Sequence, residues 1–342
     1  MQTVPNIAYL ASELSPYLVE ALPDIATNLA SKSVEVTATA AVRGLRSIGA
    51  SLSRRFRQAR ISSKAYAAFE KSWQEAATPS QREKAIRVLL GEEPRFAASL
   101  DMLLLRRDFV IATASYCNRF PALDQDRILS DDYVPIAIRS LPGTTLFTPS
   151  FAPSDIITEG NHIIEGDGGS GKSTFLRYLA WTEAQALLQD RYEVAFDDLR
   201  LPCWIRAADL AGSGDVATAL YRAAVSNLGA RLRRPLPADF FVATTANGHR
   251  NWLIFVDGFD EIDSRQRRDV WDIIRLHAEQ DSSLRFIVAS RSEAIVSIPT
   301  GSAFSRWAVE PIDTARQGIF AASYISDAPL RERFVELLAM RE

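Results

Sequence analysis

The stretch Gly166-Asp-Gly-Gly-Ser-Gly-Lys-Ser173 decides the fold expected for this chain. It has the form G-x-x-x-x-G-K-[ST], in which glycines let backbone N–H groups approach phosphate oxygens without a Cβ in the way. Residues 162–165 predict a short buried strand, and the residues from Thr174 onward predict a helix with apolar side chains repeating on one face. Strand, glycine loop and helix are the context that a phosphate-binding loop (P-loop) requires.

The motif predicts a role for several positions of this loop. Lys172 is expected to reach the β- and γ-phosphates of a nucleotide, and the Ser173 hydroxyl is expected to bind Mg²⁺. The glycines also satisfy G-x-G-x-x-G, a weak dinucleotide pattern, but a dinucleotide site has no use for the Lys-Ser pair. The residues predicted to bind the nucleotide are Gly166, Asp167, Gly168, Gly169, Ser170, Gly171, Lys172, Ser173 and Thr174.

A second part of the site is predicted at Leu253-Ile-Phe-Val-Asp-Gly-Phe-Asp-Glu261, where apolar residues run into acids. A buried strand that ends in Asp257 delivers a carboxylate to the sheet edge, where it can hold Mg²⁺ through water. Asp260 and Glu261 follow, and one of them is expected to polarise the attacking water as general base. Spacing does not decide between the two, and we favour Asp260.

Arg291 closes a further predicted strand at the same edge of the sheet. Two roles stay open for it. The guanidinium either contacts the γ-phosphate, as part of the catalytic set, or forms an ion pair at the protein surface.

Residues 156–325 alternate predicted strands with predicted helices, which indicates an α/β fold with a parallel sheet flanked by helices. Ligands of such sheets bind at the carboxyl ends of the strands. Residues 1–120 predict an all-helical N-terminal region, and residues 121–155 a proline-rich connector with a short strand over Tyr133–Ile138. Residues 326–342 predict the start of a further helical region that the end of the chain truncates.

One N-terminal stretch, residues 43–60, is basic and free of acidic residues. Apolar residues at helical spacing accompany its arginines, so an amphipathic helix is predicted. Such a helix can lie on a membrane or bind an acidic partner. The alternative, which we favour, is a helix packed on its own domain with a solvated arginine face. The arginines are Arg43, Arg46, Arg54, Arg55, Arg57 and Arg60.

The composition of the 342 residues, 47% hydrophobic and 24% charged, is that of a globular protein with one large or two smaller domains. The net charge of −3 gives no general attraction to nucleic acid, so nucleic acid is not an expected partner. Cys117 and Cys203 are too few for a disulfide framework. Because the sequence shows no long apolar run and no secretory signal, a cytoplasmic location is expected.

The glycine loop and Asp257-Gly-Phe-Asp-Glu261 together resemble the NACHT branch of the STAND signalling NTPases. The small residue Gly258 after the metal-binding aspartate, followed by the two acids, is the specific part of the resemblance. Other segments resemble the family too: residues 132–136, 201–206, 288–291 and 307–312.

The resemblance implies a switch that binds and slowly hydrolyses ATP or GTP with Mg²⁺ and forms homo-oligomers when active. It implies signalling in innate immunity or antiviral defence, with residues 1–120 as effector or adaptor and with winged-helix and sensor regions beyond the residues present here. An alternative stays open: a nucleotide-loaded assembly platform without turnover, whose N-terminal helices recruit a protein partner or a membrane.

Overall fold

The computed structural model describes residues 5–17, 46–59, 61, 63–122, 125–141, 156, 160–189, 195–243, 251–296, 303–325 and 327–339. The chain folds into two compact units, each built from more than one stretch of sequence. The first comprises Met1–Ala112, Ala184–Leu201 and Leu232–Asn251. The second comprises Thr113–Glu183, Pro202–Arg231 and Trp252–Glu342. The domain boundaries expected at residues 120, 155 and 325 stay predictions.

The first unit is helical in the part that the structure describes before residue 113. Residues 7–17 are helical, and four more helices follow: Arg46–Gln58, Ser63–Gln74, Pro79–Glu92 and Pro94–Cys117. The sequence explains where the helix Pro79–Glu92 begins. Thr78 accepts a hydrogen bond from the Gln81 amide, the Gln81 side chain accepts one from the Thr78 amide, and Pro79 occupies the first turn.

The segment between the two predicted regions contains a small hairpin. Strands β1 (Arg119–Ala122) and β2 (Gln125–Ile128) pair antiparallel, and a one-turn helix, Leu129–Asp132, follows. The strand expected over Tyr133–Ile138 is wrong in position, because the observed strand β3 is Ile138–Ser140. The proline at position 135 explains the shift, since it has no N–H for a sheet ladder.

A six-stranded sheet forms the centre of the α/β fold, in the order β3-β8-β4-β7-β6-β5. Its strands after β3 are β4 (Asn161–Glu165), β5 (Leu201–Arg206), β6 (Trp252–Asp257), β7 (Leu284–Ser290) and β8 (Phe304–Val309). The pairs β4–β7, β4–β8 and β6–β7 are parallel, but β3 runs antiparallel to β8. The sheet is therefore mixed, where the sequence predicted a parallel one. An antiparallel edge strand is a common addition to such sheets.

Strand β6 is buried and almost wholly apolar, as a strand covered on both faces is. All six residues of β6 are buried. The core beside the sheet includes Ile164, Phe175, Leu179, Phe255, Ile287 and Trp307. The helices that the structure describes in this part of the chain are Lys172–Leu188, Ala207–Leu210, Val216–Leu228, Ser264–Gln280, Ser292–Val296, Thr314–Tyr324 and Ala328–Ala339. Among the described residues, no helix is long and apolar enough to cross a membrane.

The strand order positions the glycine loop. Strand β4 lies between β7 and β8, so the chain passes over β4 when it connects those two strands. Such a reversal of strand order opens a crevice at the carboxyl ends of the strands. Glu165, the last residue of β4, pairs with Ser290, the last residue of β7. The loops after these two strands therefore start side by side.

Candidate functional site

The glycine loop joins β4 to the helix Lys172–Leu188 at the edge described above. Its start is tied to the neighbouring strand, since the Gly166 amide donates a hydrogen bond to the Ser290 carbonyl at 3.3 Å. Gly169 and Gly171 have φ angles of +77° and +90°, which glycine adopts without strain. The loop thus curls into the first turn of the helix, where backbone N–H groups lack partners within the helix.

Lys172 lies back on this loop. Its ammonium Nζ donates hydrogen bonds to the carbonyls of Gly166 and Asp167, both at 2.7 Å. Burial lowers the pKa of Lys172, and the negative charge of Asp260 opposes that shift. The ammonium group is therefore held against the loop that the sequence predicts to bind phosphate.

Ser173 and Asp257 meet although they lie 84 residues apart, with the Ser173 hydroxyl donating to Asp257 Oδ1 at 2.9 Å. The Gly258 amide donates to the same oxygen at 3.0 Å. Burial raises the pKa of Asp257, and these two hydrogen bonds oppose the shift. Both described hydrogen bonds to this carboxylate go to Oδ1, so Oδ2 is the oxygen left for a cation.

This pair fits the magnesium site that the sequence predicts. Mg²⁺ prefers oxygen ligands and is held in nucleotide sites by one or two protein oxygens together with phosphates and water. A hydroxyl and a carboxylate within hydrogen-bond distance provide such a pair. A bound cation would also compensate the buried charge of Asp257.

The two acids after Gly258 lie in a short 3₁₀ turn, Phe259–Glu261, and have different surroundings. Arg291 Nε lies 2.9 Å from Asp260 Oδ2, and the Arg291 amide donates to Asp260 Oδ1 at 3.2 Å. The ion-pair role left open for Arg291 is thus observed, with Asp260 as its partner. A contact with the γ-phosphate stays a prediction.

The Arg291 guanidinium also lies over the glycine loop. A Cβ added to Gly168 would be 3.1 Å from Arg291 Nη2 and 3.3 Å from Cζ. The absence of a side chain at Gly168 therefore makes room for the arginine. Lys172 and Arg291 bring two positive charges to the same loop.

The Glu261 side chain extends toward a different neighbour. Glu261 is an exposed residue, and a Cβ added to Gly258 would lie 2.9 Å from Glu261 Oε2. Gly258 has a φ of +68°, a left-handed conformation that favours glycine. This glycine therefore permits the turn and the close approach of Glu261 to the backbone next to Asp257.

Ser170 and Thr174 are two further residues that the sequence predicts to bind the nucleotide. The Ser170 hydroxyl is buried, has no hydrogen-bond partner among the described residues, and would lie 2.7 Å from a Cβ added to Gly166. Thr174 is half-buried in the first turn of the helix after the loop.

One ion pair at the base of the loop was not expected from the sequence. Glu165 is buried, and Arg306 on β8 donates a hydrogen bond to its carboxylate through Nε. A glutamate directly after the apolar residues Ile163 and Ile164 was the available signal, because a buried carboxylate requires a partner. The pair fixes the last residue before Gly166.

The described arginines of the basic stretch contact acids of the first unit. Arg55 makes two hydrogen bonds to the Asp197 carboxylate, at 2.9 and 2.7 Å, and Arg54 makes two to Asp198, both at 2.7 Å. The apolar side chains Ile48, Leu52 and Phe56 are buried. Arg43 and Arg60, and the side chains of Arg46 and Arg57, lie outside the described residues. Binding of this stretch to a membrane or an acidic partner stays a prediction.

Comparison with known proteins adds no family to these observations, because neither a protein-family model nor a curated protein matches the chain. The chemistry of the site therefore rests on its own residues.

Proposed function

We propose that this chain binds a nucleoside triphosphate, ATP or GTP, together with Mg²⁺ and hydrolyses it slowly, as a P-loop signalling NTPase of the NACHT type. The observation that carries the proposal is the hydrogen bond of 2.9 Å between Ser173 and Asp257. It brings together the two motifs from which the sequence predicts the two parts of one nucleotide site.

Each part of the site has a chemical task in this proposal. The backbone amides of the glycine loop and the helix N-terminus bind the phosphates. Lys172 exchanges the carbonyls of Gly166 and Asp167 for the β- and γ-phosphates, which are stronger acceptors because they are charged. Ser173 and Asp257 hold Mg²⁺, which when bound neutralises part of the triphosphate's negative charge.

The signalling role in this proposal rests on the resemblance of the sequence to the NACHT family. Nucleotide binding shifts the balance between a resting and a homo-oligomerising form in the cytoplasm, in innate immune or antiviral defence. The N-terminal helices serve as effector or adaptor and bind a protein partner. In the alternative form of this proposal, the chain is a nucleotide-loaded assembly platform that does not hydrolyse its nucleotide.

Phosphate release and bound-nucleotide content, measured on the purified full chain with each triphosphate, test the proposal. The wild type is expected to hydrolyse ATP or GTP only with Mg²⁺, and the double variant Asp260→Asn/Glu261→Gln is expected to bind the nucleotide without turnover. Binding without turnover by the wild type would favour the platform. Absence of both binding and turnover would contradict the proposal.

A further inference from the structure

The helix Ala328–Ala339 carries an apolar stripe, formed by Leu330, Phe334 and Leu337, on an exposed side. We propose that this stripe is the docking surface for an amphipathic helix of a partner protein. The partner's own apolar stripe is bordered by acidic side chains. The inference does not depend on nucleotide binding and therefore goes beyond the proposed function.

All three residues of the stripe are exposed. Leu330 is 58% exposed, Phe334 is 37% exposed and Leu337 is 55% exposed. Their spacing of i, i+4 and i+7 places them in one row along the helix. A single exposed leucine is ordinary, but a row of three large apolar side chains is a patch of the kind that marks a protein interface.

A row with similar spacing is covered elsewhere in the same chain. Ile48, Leu52 and Phe56 of the helix Arg46–Gln58 repeat every four residues, and all three are buried. The stripe on Ala328–Ala339 has the same kind of pattern but is exposed. Because burial of a leucine or phenylalanine side chain is favourable, a matching apolar surface gains free energy when it covers the stripe.

The helix is capped at its start and packed on another of its sides. Asp327 accepts a hydrogen bond from the Leu330 amide at 2.8 Å, which caps the first turn. The helix packs against Thr314–Tyr324, and its partly buried residues, among those described, are Arg331 and Val335, one turn apart. A partner helix can therefore approach the stripe without displacing the neighbouring helix.

Arginines border the stripe on both sides. When Leu330, Phe334 and Leu337 are the core positions of a heptad, Arg331 and Arg333 take the flanking positions. Charged residues at these positions select the partner in coiled coils. Neither arginine forms an ion pair with another described residue. Both charges are therefore available to a partner.

The charges decide which partner fits. Two arginines beside the stripe attract a helix with Glu or Asp at the facing positions. A second copy of this helix lacks acids there, because Glu332 and Glu336 lie on the side opposite the stripe. The observations also favour a protein over a membrane. The helix carries two arginines and two glutamates, so it has no net positive charge to attract anionic lipids.

The experiment measures binding of three synthetic helical peptides to the full chain by fluorescence anisotropy. Each peptide is about three heptads long. The acidic peptide has leucine at the core positions and glutamate at the flanking positions, and the basic peptide has lysine in place of the glutamates. The third peptide keeps the glutamates but has serine in place of the leucines. The wild type is expected to bind the acidic peptide at least about tenfold more tightly than either of the others.

Variants of the chain separate the contribution of the apolar stripe from that of the charges. Leu337→Glu is expected to weaken binding of the acidic peptide by at least about tenfold. Leu276→Glu is the matched control and is expected to bind like the wild type, since Leu276 is an exposed leucine on another helix, Ser264–Gln280. The double variant Arg331→Glu/Arg333→Glu is expected to reverse the preference and to bind the basic peptide more tightly.

Equal affinities of the wild type for the acidic and basic peptides would overturn the inference, and so would binding of neither. In the latter case two further measurements would identify the occupant. Self-association in sedimentation velocity that Leu337→Glu abolishes would assign the stripe to a second copy. Binding to vesicles of phosphatidylcholine and phosphatidylserine in equal amounts, lost in Leu337→Glu, would assign it to a membrane. Should Leu337→Glu fail to fold, Leu330→Glu tests the same stripe.

Discussion

The hydroxyl of Ser173 and the carboxylate of Asp257 lie 2.9 Å apart, at the start of a helix and the end of a strand. Neither residue needs the other to complete its own element. Under the proposed function, the two residues share one ligand, Mg²⁺. A hydroxyl on a helix N-terminus and a carboxylate on a neighbouring strand end can hold one cation between them.

Ser173→Ala is predicted to weaken Mg²⁺-dependent nucleotide binding by at least about tenfold, because removal of a residue that holds or orients a metal has that effect. Ser173→Thr keeps the hydroxyl and is expected to bind like the wild type. Titration of nucleotide at several Mg²⁺ concentrations measures both. Equal affinities for the alanine variant and the wild type would remove Ser173 from the metal site.

Gly258→Ala is predicted to destabilise the fold and to lower turnover. The φ of +68° costs a residue with a Cβ about 1–2 kcal/mol, and the new Cβ would displace Glu261. Gly229→Ala is the matched control, since Gly229 has a φ of −49° and open space around it. A gain of about 0.4–1 kcal/mol is expected there. Urea unfolding and phosphate release measure the two effects, and equal behaviour of both variants would contradict this reasoning.

Arg55→Ala is predicted to destabilise the chain far more than Arg54→Ala. The Arg55–Asp197 pair is buried, with side-chain exposures of 7% and 0%, so removing the arginine leaves a buried charge at a cost of about 3–5 kcal/mol. The Arg54–Asp198 pair has exposures of 26% and 30% and contributes about 0–1 kcal/mol. The free energies of unfolding in urea distinguish them. Small and similar losses of unfolding free energy in the two variants would contradict the prediction that the buried Arg55–Asp197 pair stabilises the chain more than the Arg54–Asp198 pair.

Asp108 is predicted to make stability depend on pH in the sense opposite to an ordinary carboxylate. Burial raises its pKa, although the Tyr9 hydroxyl donates a hydrogen bond to it and three arginines lie nearby. The folded chain therefore binds this proton more readily than the unfolded chain. The contribution is fully present below the unfolded pKa of about 3.9 and is lost as the pH rises through the folded value.

Comparison of Asp108→Asn with the wild type tests this dependence. The Tm of the wild type is expected to rise relative to that of the variant as the pH falls from neutral toward about 4. Substitution of the exposed Asp239 by asparagine is the control, with no such trend expected. A difference in Tm that does not change with pH would contradict the prediction.

The parts of this fold that follow from local chemistry could be predicted from the sequence. Strand β6 is an apolar run that ends in Asp257, and Gly169 and Gly171 between β4 and its helix have φ angles that only glycine adopts easily. These features predict an α/β fold with a glycine loop at a strand end. The contact between Ser173 and Asp257 agrees with the expectation that both lie at one edge of the sheet.

Contacts between residues far apart in sequence could not be predicted in the same way. Nothing local to Asp260 indicates Arg291 as its partner, because the pair depends on the order of β7 and β6 in the sheet. The partners of Arg54 and Arg55 lie more than 140 residues away. The direction of β3 depends on the strand with which it pairs, and no pattern in its three residues indicates that direction.

The most direct test of the account is equilibrium binding of Mg²⁺–ATP and Mg²⁺–GTP to the full chain beside Lys172→Ala. Lys71→Ala is the control, since Lys71 is an exposed lysine on the helix Ser63–Gln74. We expect the wild type and Lys71→Ala to bind one of the nucleotides equally well and Lys172→Ala to lose binding. Equal binding by Lys172→Ala and the wild type, or no binding by the wild type, would contradict it.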